Sequence, residues 1–244
     1  MIPSDDPAAT AAGHAPSNDS EQRPNTFYGR RKGKRLRDRQ ADLMGALLPK
    51  LRLPEAGPID PHTLFAAPVD EVWLEIGFGG GEHLMAQAQA HSHVGIIGCE
   101  PFINGMAKLL ALIDDAGIGN VRLQDADAIP VIDRLPDASI TRVFILYPDP
   151  WPKRRHRRRR VVSDATLSKL GRVMRPGGEL RFATDIDDYA AWTLARLDRS
   201  PDFVWQAERA DDWREPWQGW FSTRYEQKAF REGRTPSYIT AIRR

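Results

Sequence analysis

The sequence predicts an α/β fold built on a seven-stranded, mostly parallel sheet with helices on both faces. Three observations lead there. From Val72 onward, short apolar runs alternate with stretches of helical period, the pattern of successive strand–helix units. Runs such as Val72-Trp73-Leu74-Glu75-Ile76 and Arg142-Val143-Phe144-Ile145-Leu146 are almost continuously apolar, as strands covered on both faces are. Glycines and prolines punctuate the alternation at Gly77 to Gly81, Gly117 and Pro176-Gly177-Gly178, where they turn the chain or stop a helix.

Residues 1–26 are rich in Pro, Ala, Ser, Asp and Asn without an apolar period and read as a disordered tail. Residues 27–69 form a basic extension. Within it Leu36, Leu43, Leu47 and Leu48 fall at roughly helical spacing, so a short amphipathic helix is expected, and Pro49, Pro54, Pro58 and Pro61 make the connection after it irregular. The main domain spans 70–244. Its first strand is 72–76, followed by a glycine loop and a helix over 82–90. The second strand, 94–98, ends beside Glu100, and the helix over 102–116 stops at Gly117. The third, 121–124, leads into Asp125-Ala126-Asp127 and a short helix; the fourth is 142–146. Ser163 caps a helix running to 174. Strand five covers 179–183, and a helix follows Asp185 to about 197. Strands six and seven are expected at 203–208 and 237–242, with 223–232 between them.

Several classes drop out. No run approaches the roughly 18 consecutive apolar residues of a membrane span, and the first residues lack the basic-then-apolar order of a secretory signal. The single cysteine, Cys99, excludes an internal disulfide and a multi-cysteine metal site. The histidines, His83 and His156 among them, are scattered, so no metal is expected. A reducing cytoplasm fits this cysteine usage. The net charge of +2 conceals a strong segregation. Residues 30–39 carry seven Lys/Arg and one Asp, and residues 153–160 carry seven Lys/Arg and no acid; without them 21 bases face 32 acids, a balance of −11. An acidic body with two basic patches suits a polyanionic partner. The sequence sets no oligomeric state.

In sheets of this kind ligands bind at the carboxyl ends of the strands. The polar residues there are Glu75, Glu100, Asp127 and Asp149, with Asp185 after strand five: acids at successive strand ends. Asp127 and Asp185 also precede helices, so a capping role is open for them. The loop Gly77-Phe78-Gly79-Gly80-Gly81-Glu82 has Glu82 where a dinucleotide fingerprint needs its third glycine, and Glu75 beside it would repel a pyrophosphate. A cofactor without phosphate, carrying an ammonium, a sulfonium and a ribose, suits these acids better. Gly77 and Gly79 would let the backbone approach its amino-acid end. Glu100 would accept both ribose hydroxyls, and Asp127 would reach the adenine amine.

Asp149 follows the fourth strand within Tyr147-Pro148-Asp149-Pro150-Trp151-Pro152-Lys153, and the run to Arg160 begins at once. Together with Glu75-Ile76-Gly77-Phe78-Gly79-Gly80-Gly81, Phe182-Ala183-Thr184-Asp185 and Thr223-Arg224-Tyr225-Glu226, this stretch resembles the tRNA (guanine-N7-)-methyltransferase family, within the Rossmann-like class I methyltransferases. The resemblance covers roughly residues 70–242 in the family's motif order. It implies S-adenosylmethionine as methyl donor and tRNA as partner, with guanine 46 of the variable loop as acceptor. By the same resemblance Glu75, Glu100, Asp127 and Asp149 are cofactor-site acids, Asp149 is also the active-site residue, and Lys153, Asp185, Thr223, Arg224, Tyr225 and Glu226 contact substrate. The family's third acid falls within Asp125-Ala126-Asp127, where spacing from Asn120 favours Asp127. Trp151 is open to two roles, stacking on a base or packing in the core. Charge reversal within Arg157 to Arg160 is expected to weaken RNA binding and spare the cofactor. The competing reading is a non-catalytic RNA-binding module on a degenerate Rossmann-like fold.

Overall fold

The computed structural model describes residues 28–244; the tail expected over 1–26 lies outside them. Seven strands form one sheet in the order β3-β2-β1-β4-β5-β7-β6. These are β1 (Glu71–Ile76), β2 (Val94–Cys99), β3 (Val121–Gln124), β4 (Ile140–Leu146), β5 (Met174–Thr184), β6 (Phe203–Trp205) and β7 (Ser237–Arg243). The first five are mutually parallel, and β7 runs antiparallel between β5 and β6. Chain order reverses between β1 and β4, so the carboxyl ends of β1, β2 and β4 meet at the crevice where such sheets bind ligands.

The apolar runs split by parity, as the two-residue period of a strand requires. Val72, Leu74 and Ile76 of β1 and Val143 and Ile145 of β4 face one core, with Ile132, Leu167, Leu170, Tyr189 and Leu197. That core is closed by α5 (Ile129–Arg134), α6 (Asp164–Val173) and α7 (Asp187–Arg199). Trp73, Phe144 and Leu146 face the other, with Leu84, Met85, Met106, Leu109 and Leu110 from α3 (Glu82–Ala90) and α4 (Ile103–Ala116). Two caps form as expected: Gly117 closes α4 at φ +62°, and the Ser163 hydroxyl accepts from the Thr166 amide at 3.1 Å.

Where the structure departs from expectation, the cause is local. Strand β5 starts at Met174, not 179: Met174 pairs with Ile140 and the register shifts before Arg142 pairs with Glu179, a bulge made possible by Gly177 at φ +81°. Edge strand β6 ends at Trp205 rather than 208. The N-terminal helix divides into α1 (Asp38–Ala46) and α2 (Leu48–Leu51), and Pro49 sits in the first turn of α2, where a missing N–H costs nothing. The connection after α2 is irregular but packed: Leu53, Ile59 and Phe65 enter the first core, and the Leu53 amide donates to the Leu123 carbonyl at 3.1 Å. Two short helices complete the chain, α8 (Asp211–Arg214) and α9 (Arg224–Arg231). Among the described residues no helix is long and apolar enough to cross a membrane, and no cluster of three or more His, Cys, Asp and Glu could hold a metal ion.

Candidate active site

A cavity of about 470 Å³ opens at the strand ends where β1, β2 and β4 meet. Its acidic lining, Glu100, Asp127 and Asp149, comes from the ends of β2, β3 and β4; its basic lining comes from Arg30 and from Arg158, Arg159 and Arg160.

The glycine loop after β1 is shaped by left-handed backbone at Gly77 (φ +74°) and Gly79 (φ +58°), which side chains rarely tolerate. Both line the cavity. A Cβ on Gly79 would lie 3.1 Å from the Tyr225 ring, and one on Gly105 of α4 would collide with the Gly79 carbonyl. The loop is therefore gripped from both sides. Glu100 anchors it further: Oε2 accepts from the Gly79 amide at 2.7 Å and Oε1 from the Phe102 amide at 2.8 Å. Each oxygen keeps acceptor capacity. Burial raises the Glu100 carboxyl to about 7, against those two hydrogen bonds and with help from the charges of Asp149 and Glu75.

Glu75 is 2% exposed, and its Oε2 is 2.8 Å from Nδ1 of His83, a partner the sequence did not single out. Asp127 lines the cavity and also accepts from the Ile129 amide at 3.0 Å, one residue ahead of Ala128, which stands at the N-cap of α5. Asp125 turns away to Arg52, 2.8 Å distant. Glu82, at the start of α3, receives Lys108 at 2.7 Å and Arg224 Nε at 2.8 Å. A neutralised carboxylate thus stands at the helix N-terminus a dinucleotide phosphate would need.

Asp149 stands open at the cavity mouth, and partial desolvation raises its carboxyl above the ordinary aspartate value. Residues two positions to either side, Tyr147 (φ +49°) and Trp151 (φ +42°), both have left-handed backbone. For aromatic residues such strain costs about 1–3 kcal/mol each and persists only where the surroundings enforce it. They do so here. The Tyr147 amide donates to the Ala183 carbonyl at 2.8 Å. Arg160, its side chain fully buried, donates from Nε to the Pro150 carbonyl at 2.8 Å and bonds the Asp188 carboxylate. Its guanidinium lies 4.6 Å from the Tyr189 ring centroid. Trp151 faces the cavity and carries Arg159 on its ring at 4.9 Å, while Tyr28 stacks on the same guanidinium at 4.7 Å.

The basic run is therefore not one surface. Arg160 is internal, so reversing it would strike the fold, which corrects the expectation at that one position of Arg157 to Arg160; Arg157 is part-exposed and paired with Asp188 at 2.5 Å. Lys153, Arg154, Arg155 and Arg158 are exposed, and of these only Arg158 lines the cavity. The four residues of the 223–226 motif divide too. Tyr225 lines the cavity, 46% exposed. Thr223 caps α9, accepting from the Glu226 amide at 3.2 Å. Arg224 reaches Glu82, and Glu226 is buried, accepting from Trp220 Nε1 at 3.0 Å and from the Tyr238 hydroxyl. Asp185 does not cap α7; it accepts from Arg234 at 2.6 Å. Tyr28, Gly29 and Arg30, read only as the start of a basic patch, line the cavity. They are held there by the Ile103 amide donating to the Arg31 carbonyl at 2.9 Å and the Asn104 side-chain amide donating to the Lys34 carbonyl at 2.7 Å. An aromatic next to a cationic run was the available signal.

Comparison with known proteins agrees with this geometry. A family model described as "Putative methyltransferase" matches residues 70–238. A Nitrobacter winogradskyi protein named tRNA (guanine-N(7)-)-methyltransferase is 53% identical over 96% of this chain and 91% of its own length. Proteins of the same name from Nitrobacter hamburgensis (54% identical, 90% of this chain and 87% of the relative) and Brucella anthropi (54%, 89% and 94%) are similar to it as well. With identity of this order along nearly the whole chain, and the glycine loop, strand-end acids and Asp149 segment gathered on one cavity, the protein belongs to the tRNA (guanine-N(7)-)-methyltransferase family.

Proposed function

We propose that the protein transfers a methyl group from S-adenosylmethionine to N7 of guanine 46 in the variable loop of tRNA, giving 7-methylguanosine. The observation that carries this reading is one cavity lined by strand-end acids on a glycine loop and by arginines from both basic segments. The lining fits the cofactor. Glu100 and Asp149 both have raised carboxyls without a cationic side chain hydrogen-bonded to them among the described residues, so a ligand bringing positive charge and hydroxyl donors relieves them. A phosphate-bearing cofactor would meet Glu75 and Glu82 instead.

When bound, S-adenosylmethionine supplies an electrophilic methyl group on a sulfonium. Guanine N7 offers a free lone pair and no proton, so no residue need act as a base. The chain's work is then positioning. Glu100 accepts the ribose hydroxyls, Asp127 takes the adenine amine, and Gly77 and Gly79 admit the amino-acid end beside Glu75. Asp149 accepts from the N1–H and amino edge of guanine and offsets the charge that develops on the purine. Tyr225 covers the glycine loop next to the reacting groups. Arg224, Thr223 and Glu226 hold Tyr225 in place, and Asp185 with Arg234 braces the strand end beside it. Lys153, Arg154, Arg155 and Arg158, with the extension over 28–39, meet the tRNA backbone, where phosphate neutralisation releases counterions. The extension and the methyltransferase domain from 70 onward thus share one substrate surface, in the cytoplasm where tRNA is matured. A purely RNA-binding module would have no use for buried acids at the ends of two neighbouring strands, Glu75 and Glu100.

The test is incubation of the protein with labelled S-adenosylmethionine and unmodified tRNA, followed by nucleoside analysis and mapping. Label in 7-methylguanosine at position 46 is expected. Label in another nucleoside overturns the reaction, and label in 7-methylguanosine elsewhere overturns the position.

A further inference from the structure

Glu75 projects from β1 into the apolar face of the sheet that also carries Trp73 and Phe144. At 2% exposure an unpaired carboxylate there would be very costly. Among the described residues its one side-chain partner is His83, on the first turn of α3, equally buried at 2%. The imidazole is walled by aromatics, with Phe144 at 4.6 Å and Trp220 at 5.6 Å between ring centroids. Among the described residues its second nitrogen, Nε2, is buried without a hydrogen-bond partner. That orphan decides the tautomer. An imidazolium would bury an unpaired N–H, so the proton sits on Nδ1 and is donated to Oε2 of Glu75, leaving Oε1 for a ligand. A small recess lined by Glu75, Gly77, Phe78 and His83 shares Gly77 and Tyr225 with the main cavity.

We propose that His83 is a positioning residue for the amino-acid end of the cofactor, acting through Glu75: its Nδ1–H fixes the carboxylate so that the free oxygen faces the ligand ammonium. The inference rests on the function proposed above and assigns a role to a residue that touches no ligand. A histidine kept only to fill the aromatic niche would not need Nδ1 at hydrogen-bond distance from a buried acid. A pair of this kind, linking a ligand-binding carboxylate to one fixed donor, is how outer residues orient inner ones.

The experiment measures dissociation constants by calorimetry for two ligands, S-adenosylhomocysteine, which has the amino-acid end, and 5′-methylthioadenosine, which lacks it. The proteins are the full chain and its His83→Asn, His83→Gln and His83→Phe variants. Asparagine returns a donor near the Nδ1 position, glutamine displaces it towards Nε2, and phenylalanine fills the niche with no donor. His83→Phe is expected to weaken S-adenosylhomocysteine about tenfold or more, the scale of one hydrogen bond to a charged group, and to leave 5′-methylthioadenosine within about twofold. His83→Asn should return to within about threefold of the parent, and His83→Gln should fall with phenylalanine, which keeps the test intact if the phenylalanine variant does not fold. Equal weakening of both ligands, or an unchanged ratio in every variant, overturns the role. A parent chain that binds neither ligand overturns the proposed function itself.

Discussion

Replacing Glu100 with glutamine removes one charge and keeps the shape. The carboxylate accepts two backbone amides, from Gly79 and Phe102. In glutamine one of those N–H groups must face an amide NH2, so the loop loses an acceptor together with the charge. Its consequence for ligand binding follows from the raised carboxyl. With a value of about 7, Glu100 is ionised in about one molecule in eleven at pH 6 and about ten in eleven at pH 8. A ligand whose hydroxyls donate to the ionised form should therefore bind about tenfold more tightly at pH 8 than at pH 6, and release a proton on binding near pH 7. Stability of the free protein runs the other way. Because the folded value lies above the unfolded one of 4.5, the contribution is full below about pH 4.5 and is lost as pH rises through about 7, on the order of 3 kcal/mol at most. Calorimetry of S-adenosylhomocysteine at pH 6 and 8, in buffers of different ionisation enthalpy, reads the first effect; a melting series on the free protein reads the second. Glu100→Gln should weaken binding about tenfold or more at pH 8 and flatten both pH slopes, and comparison of the two proteins cancels the ligand's own titration. A parent slope that survives in the variant, or a variant that binds as tightly as the parent at pH 8, refutes the reasoning.

Asp149→Asn should lower the turnover rate at saturating tRNA and cofactor about tenfold or more, about 1.4 kcal/mol of transition-state stabilisation; full turnover would remove Asp149 from the chemistry. Reversing Lys153, Arg154 and Arg155 together should weaken tRNA binding and reduce the slope of log affinity against log salt by about 0.7–0.9 for each phosphate no longer neutralised, with the melting temperature unchanged, as read by filter binding across a salt series. Glu226→Gln should destabilise the fold by about 2 kcal/mol, because an amide NH2 replaces one of the buried oxygens that accept from Trp220 and Tyr238, and lower the melting temperature by about 4–8 °C.

The central sheet was legible because its signal is local. Parity along β1 and β4, the cap at Ser163 and the stop at Gly117 each need only a few neighbouring residues, and the acids fall at strand ends because the runs before them are apolar. What escaped depends on distant pairing or on side-chain direction. The start of β5 at Met174 needs Ile140 as a partner across a bulge, and no local rule carries a strand through Arg175-Pro176-Gly177-Gly178. The left-handed backbone at Tyr147 and Trp151 is imposed from outside, by Ala183, by Arg160 on Pro150 and by Arg159 on the indole. Within a run of arginines, sequence cannot say which one turns inward; the structure shows that it is Arg160, because Asp188 and Tyr189 lie beneath it. Tyr28 reaches the cavity because α4 holds the nearby extension by its first turn and Arg159 takes the ring at the mouth.

The buried carboxylate of Glu226 has a wider consequence. It belongs to α9, yet it gathers Trp220 from the preceding turn, Tyr238 from β7 and, at 3.5 Å, the hydroxyl of Tyr147 after β4. Four segments of the chain thus share one carboxyl group, and the strained turn that carries Asp149 is linked to the antiparallel edge of the sheet. The C-terminal third is thereby linked to the site. Fluctuations that open β7 therefore loosen one of the holds on the turn beside Asp149, so amide exchange in the turn should rise when β7 opens.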